Sequence, residues 1–255
     1  MKRAARLIVF YAGLLGLWTL LAQMKIWPPY LFPTPWGVGD ALYAGFKDHS
    51  FVIAIAVSMR RVLIGYAISV VLGMILGLGV ASSKFLEETM GGLLVSLQSL
   101  PSICWWPLAL LWFGLSQNAI LFVVVMGSLW SMVIATDNGV RNVPPIFSRA
   151  ARTMGSKPIH TLIFVMLPAS LPFIVSGMKQ GWAFAWRSLM AAEIYVTILT
   201  GFGLGQLLQN GRDLAAMDQV IGIMIVIIAI GLLADKILFS PWERFLHHRW
   251  GTGRA

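Results

Sequence analysis

Charged side chains are scarce in this chain, and Arg60, Arg61, Arg187 and Glu193 stand in or beside apolar runs. A charge at membrane depth is expensive and is kept for pairing or for handling an ion. Arg187 can lend positive potential to an anion, or it can pair with Glu193 or another helix as structural glue. Arg60 and Arg61 sit at a span end, where they steer an anion or a partner's lobe, or snorkel to headgroups. A second candidate is the stretch from Pro145 to Pro172. Ile146, Ala150, Ala151 and Met154 can share one helical face there, with Arg149 and Arg152 beside it. Gly155 can take positive φ and end that helix. Ser156 can cap the next one, which starts near Pro158. Pro168 and Pro172 then break or kink the entry to the fifth span. The product is two short helices meeting at a Gly turn and lying parallel to the membrane. Such a loop grips a soluble partner or lays its arginines on anionic lipid headgroups.

A third candidate is the run Leu100-Pro101-Ser-Ile-Cys-Trp-Trp106-Pro107-Leu-Ala-Leu-Leu-Trp112-Phe113-Gly114. Trp105, Trp106 and Trp112 line a path or pack at the lipid interface. Pro101 and Pro107 favour a locally broken helix, which membrane proteins tolerate where backbone lines a cavity. Gly201, Gly203 and Gly205 follow a span and suit an outer gate or a partner contact better than a dinucleotide site. The histidines His49, His160, His247 and His248 lack metal-ligand spacing, so no metal site is expected. Cys104 is the only cysteine, which excludes an intrachain disulfide. No Ser-His-Asp set, H-E-x-x-H or paired intramembrane aspartates support a membrane enzyme. No G-x-x-x-x-G-K-[ST] phosphate loop occurs, so any ATP hydrolysis belongs to another subunit.

The elements that carry these residues follow from composition. The chain has 255 residues, 58% of them hydrophobic and only 11% charged, with mean hydropathy +0.79. A soluble domain carries about 25% charged residues. A bilayer core takes about 20 apolar residues per helix. Six stretches qualify: 7–23, 62–81, 93–113, 120–135, 171–196 and 220–238. The fold class is therefore an all-α membrane protein with six transmembrane helices, a single transmembrane domain over 1–255. With both termini cytoplasmic, Lys2, Arg3, Arg6, Lys84, Arg141, Arg149, Arg152, Lys157, Lys236, Arg244, Arg249 and Arg254 lie inside. The opposite loops hold Lys25, Lys47 and Arg212, while Arg60, Arg61, Lys179 and Arg187 sit at or within span ends. This bias explains the net charge of +9 without nucleic acid. The N-terminus lacks a small-x-small cleavage site after Leu21, which favours a retained first helix over a signal peptide. Thr34-Pro35 supplies a cap and first position for a short helix over 38–46. In the second span Gly73 and Gly77, with Gly65 and Gly79 nearby, permit close helix packing, within the chain or against another subunit.

Arg149-Ala150-Ala151, three residues, Gly155, nine residues, Val165, one residue, Leu167-Pro168, three residues and Pro172 resemble the EAA loop of permease subunits from binding-protein-dependent ABC importers. Val165 stands for Ile, and Arg149 stands where many members have Glu. The Pro101–Gly114 run, Ser58-x-x-Arg61-Val62-x-x-Gly65, Ala191-Ala192-Glu193 and Gly203-Leu204-Gly205 are similar to the sulfonate, nitrate and taurine group of that family. The likeness spans about residues 31–238.

The resemblance implies a type I ABC importer permease (MetI-like) bundle in the bacterial inner membrane. It implies two ATPase subunits that bind ATP and Mg, no cofactor on this chain, and a periplasmic or lipid-anchored solute-binding protein. It further implies a second permease copy, expected to be a homodimer. The loop over 137–168 becomes the coupling helix, with Arg149, Ala150, Ala151, Arg152 and Gly155 docking into the ATPase. The translocation path is expected near Pro101, Trp105, Trp106, Pro107, Arg187 and Glu193. The solute is expected to be a small anion of the sulfonate, taurine or nitrate kind. The competing class is a stand-alone channel or secondary transporter. That class needs carboxylates near midplane, and Glu193 is the only span carboxylate before Asp235.

Overall fold

The computed structural model describes residues 2–28, 30–196 and 201–250, with the side chains of 2–4 and 247–250 excepted. The side chains of Lys2, Arg3, His247, His248 and Arg249, and the whole of Arg254, therefore lie outside the described residues. The elements in chain order are α1 (Lys2–Gln23), α2 (Pro35–Lys47), α3 (Ser50–Ser82), α4 (Lys84–Ser99), a 3₁₀ turn (Ser102–Trp105), α5 (Trp106–Phe113), α6 (Gln117–Arg141), α7 (Pro145–Thr153), α8 (Pro158–Thr161), a π turn (Leu162–Met166), α9 (Leu167–Tyr195), α10 (Leu204–Asp213), α11 (Met217–Ala234), a second π turn (Asp235–Phe239) and α12 (Ser240–Trp250). No strand occurs among the described residues. Five helices are long and apolar enough to cross a membrane, and a bent pair brings the number to six.

The expected span over 93–113 is that bent pair. The chain turns by 99° between Lys84–Ser99 and Ser102–Phe113. Pro101 has no N–H to continue α4 and pushes Leu100 out of helical backbone, to φ −67° and ψ 122°. The other spans are longer than their apolar cores: α3 covers 33 residues and α6 covers 25. Prolines act differently in α9. Pro168 lies in its first turn and Pro172 inside it, yet helix runs on through both. The π turn before Pro168, closed by Leu167 N–H on Leu162 O, shifts the hydrogen-bond register just where the ring would collide with the preceding turn. The π turn before Pro241 repeats the device, with Ser240 N–H donating to Asp235 O.

Contacts divide the chain into two compact units: Met1–Ser58 with Leu199–Ala229, and Met59–Ile198 with Ile230–Ala255. In the first unit, Thr34 Oγ1 accepts from Gly37 N–H at 3.2 Å, with Pro35 behind it, so α2 starts where its sequence indicates. Trp18 Nε1–H donates to Pro33 O at 3.0 Å and ties α1 to the segment before α2. Ser58 Oγ accepts from Leu204 N–H at 2.9 Å and anchors the start of α10.

In the second unit α6 packs between α3 and α9, with much of its surface buried. Lipid is as apolar as leucine, so close packing and polar bonds hold these helices, not apolar burial alone. A Cβ at Gly77 would stand 2.6 Å from Thr136 Cβ and 2.7 Å from Val133 O. Only glycine lets α3 approach α6 this closely, and Gly73 is pressed in the same way against Met132. The packing is thus within the chain. Ser128 Oγ–H donates to Ser69 Oγ at 2.7 Å across the same contact. Tyr66 Oη–H donates to Met178 O at 2.7 Å and joins α3 to α9.

Candidate functional site

Two regions of the second unit carry the residues that sequence singles out. The first is the loop between α6 and α9. Its root is Arg141, whose guanidinium meets Glu87 and Asp137, each at 2.7 Å, and donates to Val80 O at 3.2 Å. One side chain therefore pins the end of α3, the first turn of α4 and the end of α6 where the loop begins. Pro145 sits in the first turn of α7, a position that needs no N–H. Gly155 adopts φ +83°. Ser156 N–H reaches Ala151 O at 3.0 Å and Gly155 N–H reaches Arg152 O at 2.9 Å, the paired bonds of a Schellman turn. The turn is fixed by backbone, so the angle between α7 and α8 is set locally.

The face expected from spacing divides in two. Ala151 is 2% exposed and packs inward, whereas Ile146, Ala150 and Met154 face out, Met154 at 81%. Ala150 and Ala151 are a helical step of about 100° apart, so only one can share the outer stripe. Arg149, Arg152 and Gly155 are exposed as well. Ser156 is not the side-chain cap of α8; Lys157 occupies that position without a side-chain bond. The Ser156 hydroxyl instead pairs with His160 Nδ1 and accepts from Thr161 Oγ1, both at 2.9 Å. The result is a stiff knob with an apolar ridge and basic flank.

The second region is the bend at Pro101. A pocket of about 300 Å³ opens there, lined by Gln98, Ser99, Pro101, Ser102, Arg187 and Ser188 among others. The Ser99 and Ser188 hydroxyls donate to Ser96 O at 2.8 Å and Phe184 O at 2.7 Å, and Gln98 Nε2 donates to Ser131 Oγ at 2.9 Å, so the donors suited to an oxyanion are the guanidinium, the second Gln98 N–H and the Ser102 hydroxyl. Arg187 lies over the Phe184 ring at 4.7 Å, and its Nε–H donates to Ala183 O at 3.1 Å. No carboxylate among the described residues pairs with it. On its other side Arg187 borders a second pocket of about 290 Å³ with Lys179, Trp182, Trp186 and Asp235. Lys179 is held there by Asp235 at 2.7 Å.

Pro101 and Arg187 thus share a pocket, and the remaining candidates lie elsewhere. Trp105 packs on Phe122 and Trp130, with ring centroids 6.4 and 6.5 Å away. Trp106 faces Tyr195 at 6.3 Å, and Pro107 is exposed in the first turn of α5. Glu193 pairs not with Arg187 but with Arg61, at 2.8 Å, both side chains almost wholly buried (0% and 2% exposed). Arg61 is accordingly a buried structural cation and no exposed steering charge. Gln98, Ser102 and Ser188 escaped sequence reading, because a polar side chain in a membrane helix is noticed only once the fold shows what it faces. No group of three or more His, Cys, Asp or Glu among the described residues is placed to hold a metal.

Residues 69–248 match the model of a family described as binding-protein-dependent transport system inner membrane component. A protein of Escherichia coli K12, provisionally named an aliphatic sulfonates transport permease, is 32% identical over 236 residues, covering 91% of this chain and 89% of that one. A nitrate import permease protein of Leptolyngbya laminosa is 27% identical over 242 residues, covering 93% and 86%. A crystal structure of an amino acid ABC transporter superposes with a TM-score of 0.62 at 16% identity, covering 82% of this chain and 97% of that chain, a likeness of fold.

Proposed function

The chain belongs to the binding-protein-dependent transport system inner membrane components, as a multi-pass permease subunit that leaves ATP hydrolysis to a partner, and from this we propose that it carries a small oxyanion past Arg187. One observation supports the anion reading more than any other. Arg187, with no carboxylate partner among the described residues, presents its guanidinium to a pocket also lined by Gln98, Ser102 and Ser188. A cation with no carboxylate beside it draws an anion and repels cations. The relatives named for aliphatic sulfonates and nitrate support the same class of solute.

In this reading a solute-binding protein delivers the anion on the outer side. Two ATPase subunits, carrying ATP and Mg, dock on the α7–α8 knob from the cytoplasm, and the knob, root and termini lie inside. Two copies of the chain form the membrane assembly. ATP-driven approach of the knobs switches the bundle between outward and inward states as rigid bodies. Arg141 transmits that motion, since it holds three helices at the loop's root. The pathway runs by Pro101, Ser102 and Arg187. Trp105, Trp106, Pro107 and Glu193 serve it through packing.

The test is uptake of labelled taurine, an alkanesulfonate and nitrate into proteoliposomes holding the whole importer. Arg187→Gln is expected to abolish uptake while membrane insertion, melting temperature and ATPase retention stay unchanged. Wild-type uptake by that variant contradicts the reading.

A further inference from the structure

The knob on α7 and α8 contains no carboxylate, and its bearing on the partner rests on the proposed ATPase docking. Residues 138–192 include no Asp or Glu, and all ten acids of the chain lie within the described residues. Of the bases at the loop, Arg141 is satisfied by Glu87 and Asp137. Arg149, Arg152 and Lys157 form no ion pair among the described residues. Arg149 and Arg152 are three apart on one helix, so they repel each other, and no carboxylate among the described residues offsets it. They flank one side of the exposed ridge of Ile146, Ala150 and Met154, while the other side turns inward through Ala151. A basic amphipathic helix binds a membrane in proportion to the apolar area that it buries. Helix α7 has nine residues and a turn locked by Gly155, which suits a local socket better than a lipid plane.

We propose that the ATPase groove receiving α7 is rimmed by carboxylates that face Arg149 and Arg152, so that charge selects the cognate ATPase. The pattern that this loop otherwise follows has Glu where Arg149 stands. An ATPase matched to that Glu meets Arg149 with the wrong sign, which disfavours mispairing. The apolar ridge supplies grip, and the arginines supply orientation and choice.

The experiment uses the permease co-purified with its ATPase subunit in nanodiscs, and reads ATPase retention and ATP hydrolysis as NaCl rises to about 0.5 M, where charges are screened beyond a few ångströms. Wild-type retention is expected to fall with salt. The double reversal Arg149→Glu with Arg152→Glu is expected to retain at least about tenfold less ATPase at low salt, with Arg149→Gln and Arg152→Gln in between. Met154→Asp, which breaks the ridge, is expected to lose ATPase at every salt level. Full retention by the double reversal, with loss by Met154→Asp, overturns the charge proposal and leaves docking intact. Full retention by all variants overturns docking as well. If the double reversal keeps its ATPase but stops responding to anionic lipid in vesicles, the arginines serve headgroups and the proposal fails.

Discussion

Replacing Glu193 by Gln leaves the Arg61 guanidinium, now 2% exposed and bonded at 2.8 Å, without its counter-charge. Arginine cannot discharge itself by losing a proton. Removing one partner of a buried pair costs about 3–5 kcal/mol, far more than the net worth of the pair, because a buried charge is left unmatched. For a chain of this size that converts to a drop of roughly 6–20 °C in the melting temperature. Glutamine keeps the shape and one acceptor, which puts Glu193→Gln at the lower end. The double change Arg61→Met with Glu193→Leu removes both charges and restores most of the loss. The assay is thermal unfolding of the detergent-purified protein, read by tryptophan fluorescence. A single variant that melts with the wild type, or a double variant no better than the single, refutes the claim that this pair is a structural pin.

Three further outcomes rest on particular residues. Gly155→Val forces a β-branched side chain into φ +83°, where a Cβ has open space but strained backbone; at about 1–2 kcal/mol the turn loosens, and ATP hydrolysis is expected to uncouple from uptake while the melting temperature falls by only about 2–8 °C. Gly77→Leu meets Val133 O, which cannot yield, so it should cost about 1–3 kcal/mol or more in thermal stability, whereas Gly79→Leu, with nothing within 4 Å, should cost little. Asp48 accepts Ser50 N–H at 2.9 Å, and this bond, helped by the Ser50 hydroxyl and His49, holds its carboxyl below the usual carboxylate range. A lowered folded value means the support exists above the unfolded pKa near ~3.9 and is lost as pH falls through the folded one. The protection of amides at the start of α3 from hydrogen exchange, relative to the intrinsic rate at each pH, should therefore fall under acid conditions, and unchanged protection through that window counts against the bond.

The spans were legible because apolar runs of this length have one physical solution in a membrane. The Thr34 cap and the Gly155 turn were legible too, since each rests on the backbone needs of a few adjacent residues. The Arg61–Glu193 pair was not. Its partners are 132 positions apart, and no local pattern distinguishes Arg187 from Arg61 as the partner of Glu193. The outward stripe of α7 was half legible: period placed Ile146, Ala150 and Met154 together, but only tertiary packing chose Ala151 as the inward residue. Pro168 and Pro172 read as breaks, yet helix continues, because a π turn takes up the register before Pro168. The pocket residues Gln98, Ser102 and Ser188 come from three elements and meet only in the fold.

The proposed mode of action is docking of an ATPase on the knob closed by Gly155. Native mass spectrometry of the chain, co-expressed with its genomic neighbours and extracted in mild detergent, tests it most directly. Two 28.0 kDa permease chains with two ATPase chains are expected, with loss of the ATPase chains on Gly155→Arg. A permease that flies without any ATPase, or an intact assembly in the Gly155→Arg variant, would contradict it.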